Sequence, residues 1–185
     1  MDPVIYIGPR YIYDEKDLSN WQVKYYDLGT DADGNHHWRK EIITPEGVLT
    51  EQGAYNQFTP WTTEYIIKDE RSFEIWNKYV PIPVEVDWSP VLEAKRRIGD
   101  RGIVRGGFFD FGQGSPWQSF LILFGTEQAI LACFDKPDWI HHVLRSLLDK
   151  KLRVIEIAGK IELDLVETGG GAGSGFPLCD LPALS

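Results

Sequence analysis

A chain of 185 residues, 43% hydrophobic and 13% aromatic, has the length and apolar content of one packed domain or part of a larger one, and falls outside the disordered class. Its net charge of −9 and isoelectric point near 4.9 disfavour contact with phosphate backbones, so nucleic acid is not an expected partner. The one clustered basic stretch, Arg96, Arg97, Arg101 and Arg105, reads as a solvated helix end. Two cysteines, Cys133 and Cys179, lie in unlike contexts with no CxxC spacing, which fits a reducing cytoplasm better than a disulfide framework. The N-terminus has no charged-then-apolar leader, and no run of about 18 apolar residues exists, so no membrane span is expected.

In chain order, the first third reads as an antiparallel meander. Strand-like segments at 22–28, 36–43, 48–55 and 62–68 are rich in aromatic and β-branched residues. "DADG" (Asp31–Gly34) and "TPEG" (Thr44–Gly47) supply turns, and Trp38, Ile42 and Ile43 are the expected apolar contacts. Asp69 then caps a helix ending near Pro81, with Phe73, Trp76 and Val80 on one face. "PIPVEVD" is a connector. Ser89 as N-cap, Pro90 in the first turn and Glu93 nearby start a second helix, which Gly99 and Gly102 stop.

A short buried strand is expected over 102–109. Ser115, Pro116 and Gln118 form the next helix start, Gly125 stops that helix, and Thr126 begins another through Phe134. The strongest helix starts at Pro137. Its apolar residues Ile140, Val143, Leu144, Leu147, Leu148, Leu152 and Ile155 recur at helical spacing, and Gly159 ends it. A strand follows over 161–167. Alternating helices and strands predict a parallel sheet or a (β/α) barrel, in three regions: 1–68 the meander, 69–168 the (β/α) part, and 169–185 a Gly/Pro-rich tail.

The run "DLVETGGGAGSG" (Asp164–Gly175) is not a phosphate loop. A Walker A loop needs a lysine after its glycines, and a GxGxxG pattern fails because its last position falls on Ser174 or Phe176. Two readings remain. Either Glu167 and Thr168 stand at the C-terminal end of a barrel strand, where (β/α)8 enzymes carry their chemistry, with Gly169 and Gly170 letting backbone approach a ligand, or the segment is a plain loop. Asp110, after the earlier strand, either faces a pocket beside Phe109 or caps a turn. Trp117 either stacks on a planar ligand or belongs to the core. The adjacent pairs His36–His37 and His141–His142 lack the i, i+4 spacing of a chelate and read as surface histidines. No GxSxG elbow occurs.

"GSPWQSFLILFGTEQAILACFDKPDWIHHVLRSLLDK", followed by "LDLVETGGGAGS", resembles the uroporphyrinogen decarboxylase superfamily, as do "WRKEIITPEGVLTEQ" and "TEYIIKDERSFEIWNKYVP" upstream. The superfamily includes the decarboxylase of porphyrin biosynthesis and barrel methyltransferases that act on corrinoid or thiol methyl carriers. The resemblance spans most of Trp38 to Ser174 and implies a (β/α)8 barrel, a fold that runs to about 250 residues or more. With two barrel strands, 102–109 and 161–167, this chain corresponds to a partial barrel from the middle of that fold. The ending "GFPLCDLPALS" departs from the family, as a truncated or frame-shifted reading would.

The resemblance implies a substrate that is a tetrapyrrole, or a methyl donor or corrinoid protein, in intact relatives. Thr168 corresponds to a rim serine and keeps its hydroxyl. Ile122 stands where the decarboxylase branch has a tyrosine, which tilts the reading toward decarboxylase-like members of methyltransferase type. "GPRY" (Gly8–Tyr11) shares too little with the branch's arginine-bearing stretch to carry its role. The zinc of the methyltransferase branch, held by His-x-Cys and a distant cysteine, would find its ligands beyond Ser185, and neither Cys133 nor Cys179 substitutes. The expectation is a cytoplasmic chain that is inactive as it stands. The alternative is a non-enzymatic, partner-binding remnant, with self-association through open barrel edges.

Overall fold

The computed structural model describes residues 4–107 and 114–167. The chain divides into two compact units, one formed by Tyr13–Ile82 and the other by Met1–Ile12 with Pro83–Ser185.

The Tyr13–Ile82 unit contains the expected meander. A short helix, α1 (Glu15–Ser19), precedes β3 (Gln22–Thr30), β4 (His36–Thr44), β5 (Gly47–Tyr55) and β6 (Pro60–Glu64), which pair antiparallel in chain order; β1 (Val4–Tyr6) and β2 (Arg10–Ile12) belong to the other unit. The first turn closes because Asp31 Oδ1 accepts the N–H groups of Asp33 (3.0 Å) and Asn35 (2.9 Å), while Gly34 takes a φ of 83° that favours glycine. Gly53 is required for a different reason. A Cβ there would lie 2.4 Å from Trp38 Cζ2 and 2.6 Å from the Trp61 carbonyl oxygen, so the Trp38 indole lies where a side chain would stand.

β6 ends earlier than the expected strand over 62–68. Beyond Glu64 the chain turns to present the start of α2 (Glu70–Tyr79): Lys68 N–H donates to Ser72 Oγ (2.9 Å), and Lys68 Nζ pairs with Glu64 (2.8 Å). Ile66 and Ile67 are buried there outside any strand. Asp69 caps α2 as expected, through a reciprocal box with Ser72. Phe73, Ile75 and Trp76 form its buried face, whereas Val80 is its C-cap.

The other unit begins with β1 (Val4–Tyr6) and β2 (Arg10–Ile12) and resumes with β7 (Glu85–Asp87). β2 and β7 pair antiparallel, so "PIPVEVD" is more than a connector. Next come α3 (Ser89–Ile98) and a single 3-10 turn (Gly99–Arg101). Ser89 is not the N-cap of α3: that position is Trp88, and Ser89 N–H and Oγ–H both donate to the Asp87 carboxylate (2.8 and 2.9 Å).

β8 (Ile103–Gly107), α4 (Pro116–Phe124), α5 (Thr126–Asp135), α6 (Pro137–Ala158) and β9 (Leu165–Glu167) complete the unit. Ser115 Oγ accepts the Gln118 N–H (3.1 Å), the expected α4 cap, and Gly125 ends that helix at φ 91°. No single helix among the described residues is long and apolar enough to cross a membrane.

β1, β8 and β9 form a parallel sheet in that order. Two parallel strands were expected; β1 is a third. The expected strand over 161–167 is realised as Leu165–Glu167, because Asp164 is held to Val104 by its own backbone and side chain before the ladder begins. Val91, Ala94 and Ile98 of α3 bury Val104 of β8, with Ile5, Ile7, Trp88 and Leu163 packed around them.

A second apolar cluster joins α4 and α6. Phe120 stacks on Phe124 at 5.2 Å between centroids, and Trp139 meets both edge-on. The buried stripe of α6 is Ile140, Val143, Leu147, Lys151, Val154 and Ala158. Leu152 and Ile155, expected on that face, are 47% and 44% exposed: each directly follows a buried position, about 100° further round the helix. The described residues thus form a mixed α/β structure with a parallel sheet and antiparallel sheets, and no closed barrel.

Candidate functional site

Parallel sheets place chemistry at the carboxyl ends of their strands, where the strands give way to loops. Here those ends are Tyr6, Gly107 and Glu167. Glu167, half-buried, pairs in register with Gly107. Gly106 sits between its two neighbours with no room to spare. Its Cβ would lie 2.3 Å from the Ile7 carbonyl oxygen, and Ile7 N–H donates to the Arg105 carbonyl at 3.0 Å, so β1 closes directly over the glycine. Of the residues singled out from sequence, Phe109, Asp110, Thr168, Gly169 and Gly170 lie outside the described residues. Trp117 is half-buried in the first turn of α4, its ring 6.0 Å from that of Phe120 at a tilt of 51°.

The sheet is anchored by charge below this edge. Lys95 Nζ lies 2.7 Å from Asp164 Oδ1 and 3.2 Å from the Glu162 carbonyl, and Asp164 Oδ2 accepts Val104 N–H at 2.9 Å. The Lys95 ammonium, followed by the Val104 N–H, holds the Asp164 carboxyl below the usual carboxylate range.

The same unit holds an open groove of about 350 Å³ lined by Ile7, Arg10, Ser89, Pro90, Glu93, Ala94, Arg96 and Arg97. The basic stretch noted in the sequence is divided here. Arg101 turns back onto α3, donating to the carbonyls of Ile98 (3.4 Å) and Arg97 (3.1 Å), which is the helix-end role expected. Arg105 lies over the Tyr6 ring, 5.5 Å from its centroid. Arg96 and Arg97 line the groove instead, and Arg10 joins them from the start of β2. No signal in the sequence connects Arg10 with α3, since the meander unit separates them along the chain.

The histidines of the meander are engaged locally. His36 stacks on Tyr55 and meets Thr30 Oγ1 at 2.8 Å, while His37 Nε2 lies 3.0 Å from Asp31 Oδ2. The Asp31 carboxyl is held below its ordinary range, first by the Asn35 side chain and then by His37. Among the described residues no three His, Cys, Asp or Glu side chains converge as metal ligands, and Cys133 is buried within α5.

No protein-family model, curated protein or solved structure matches this chain.

Proposed function

We propose that the chain carries consecutive βα units of a uroporphyrinogen decarboxylase-superfamily barrel, of the decarboxylase-like or methyltransferase type, and that on its own it turns over neither substrate class. The observation that carries this reading is the strand order β1–β8–β9. All three strands are parallel and lie side by side in the order in which they occur along the chain; the connection from β1 to β8 takes in β2, the Tyr13–Ile82 unit, β7 and α3, and that from β8 to β9 takes in α4–α6. This order supports a (β/α) winding, in which each unit adds its strand beside the last. Glu167 at the end of β9 supports a site at the carboxyl edge. Ile122, at the position of the decarboxylase tyrosine, has no hydroxyl to offer and favours the decarboxylase-like members of methyltransferase type. Two cysteines in unlike contexts, without a CxxC spacing, suit a reducing cytoplasm.

A crystal structure reaching through residues 108–113 and 168–175 tests the barrel reading. Side chains of Asp110 and Thr168 turned into a common pocket with Glu167 support it, and either side chain turned away from Glu167 overturns it. Assays with uroporphyrinogen, and with a methylcorrinoid plus thiol and added zinc, test inactivity; turnover of either overturns it and names the branch.

A second reading, association with a partner or a second copy, is favoured by β3. This edge strand is exposed at all nine positions, with Tyr25 73% exposed. Sedimentation at rising protein concentration decides it: growth in size supports association, and a constant monomer removes it.

A further inference from the structure

The groove lined by Arg10, Arg96 and Arg97 is not explained by the barrel reading and does not depend on it. We propose that it binds a small phosphate-bearing anion through these three guanidinium groups.

The first argument is that their donors are not spent on the protein. Arg10 meets Asp87 at 3.7 Å and Arg96 meets Glu93 at 3.7 Å, distances that keep Coulomb attraction but exceed N–H···O hydrogen-bond reach. Among the described residues Arg97 has no ion pair; its carbonyl, not its side chain, is the group Arg101 uses. Arg101 and Arg105, from the same stretch, show the contrast, since both are engaged with the protein itself.

The second argument is charge. The whole chain carries −9, yet this groove presents three arginines against Glu93 in its lining and Asp87 beside Arg10, an excess of positive charge. Such a local reversal attracts an anion that the rest of the surface repels.

The third is shape. Ile7, Pro90 and Ala94 give the groove apolar walls, and a volume of about 350 Å³ accepts a phosphate or pyrophosphate group with room beyond it. Guanidinium forks from two separate segments suit the tetrahedral oxygens of a phosphate better than the two coplanar oxygens of a carboxylate.

The test uses the full chain and isothermal titration with pyrophosphate, with citrate as the carboxylate of comparable charge. Pyrophosphate is expected to bind, to bind more tightly than citrate, and to weaken as salt is raised. Arg97→Ala is expected to weaken it about tenfold, and Arg10→Ala with Arg97→Ala further still. Glu93→Gln, which removes a competing carboxylate, is expected to tighten it. Arg105→Ala, outside the groove, is the control and leaves affinity unchanged. All these side chains are on the surface, so melting curves are expected to match the parent. Absence of pyrophosphate binding, citrate binding as tightly, or an unchanged affinity in the Arg10/Arg97 double variant would overturn the proposal. None of these outcomes bears on the placement of Asp110 and Thr168, so the barrel reading stands or falls separately.

Discussion

The Asp164 carboxylate bridges Lys95 of α3, at 2.7 Å, and the backbone N–H of Val104 in β8, at 2.9 Å. One side chain therefore ties the approach to β9 both to the neighbouring strand and to the helix that covers it. Asp164→Ala is expected to cost about 1–2 kcal/mol, after discounting the ion pair for its partial exposure. Asp164→Asn keeps an acceptor for Val104 and is expected to cost less than half of that. Urea unfolding of the two variants checks the order; equal losses would show that the charge on Asp164 matters more than the bond to Val104.

Gly106→Ala is expected to be the most damaging single-methyl change in the parallel sheet. The new Cβ meets the Ile7 carbonyl oxygen at 2.3 Å, a backbone atom that moves only if β1 moves. A loss of about 3 kcal/mol or more is expected, with the 4–6 segment losing amide-exchange protection. Gly8→Ala is the matched control, because nothing lies within 4 Å of its Cβ position. A Tm for Gly106→Ala equal to that of Gly8→Ala would refute the close approach.

The two faces of α6 are expected to respond differently to truncation. Leu147 is fully buried, whereas Leu152 is 47% exposed. Leu147→Ala is expected to cost about 2–4 kcal/mol through lost transfer and a cavity, and Leu152→Ala about 0.5 kcal/mol or less. Equilibrium unfolding of both variants as monomers checks this. A large loss for Leu152→Ala would mean that this face is covered in solution.

Acid is expected to loosen the Tyr13–Ile82 unit at Glu64. Its carboxylate takes Lys68 Nζ at 2.8 Å and Thr50 Oγ1 at 2.5 Å, and Lys68 first and Thr50 next hold its pKa down to about 2. A folded value below the unfolded one means stability that is present at neutral pH. That stability is lost as pH falls from about 4.5 through about 2. With the side chain 30% exposed, Glu64→Gln is expected to remove about 1–2 kcal/mol at pH 7 and to flatten the stability profile across that window. Unfolding curves over pH 2.5–7, followed by tryptophan fluorescence, test it; parallel profiles for parent and variant would contradict the assignment.

Much of the local structure was legible because its causes are local. Alternating aromatic and β-branched residues broken by "DADG" and "TPEG" specify the meander. Asp69 and Ser115 mark helix starts because their side chains reach an N–H three residues on. Elements of three residues were less visible: β1, β2 and β7 are too short for any periodicity, and only their pairing partners make them strands. The apolar pattern of α6 identified a helix correctly and gave Leu152 and Ile155 to the wrong face. A stripe that includes Lys151 is chosen by what α6 packs against, not by hydrophobicity alone.

The candidate site divides along the same line. Sequence alone named Glu167, which ends the last described strand, and Trp117 at a helix start, since each sits beside a recognisable boundary. It also determined the charge, the meander and the succession of helices. The tertiary structure decided that β1 lies beside β8, that Gly106 is demanded by the Ile7 carbonyl, and that Arg10 shares a groove with Arg96 and Arg97. Those relationships join residues far apart in the chain. No local propensity encodes them, because their energy exists only once the intervening chain has folded and brought the partners within reach.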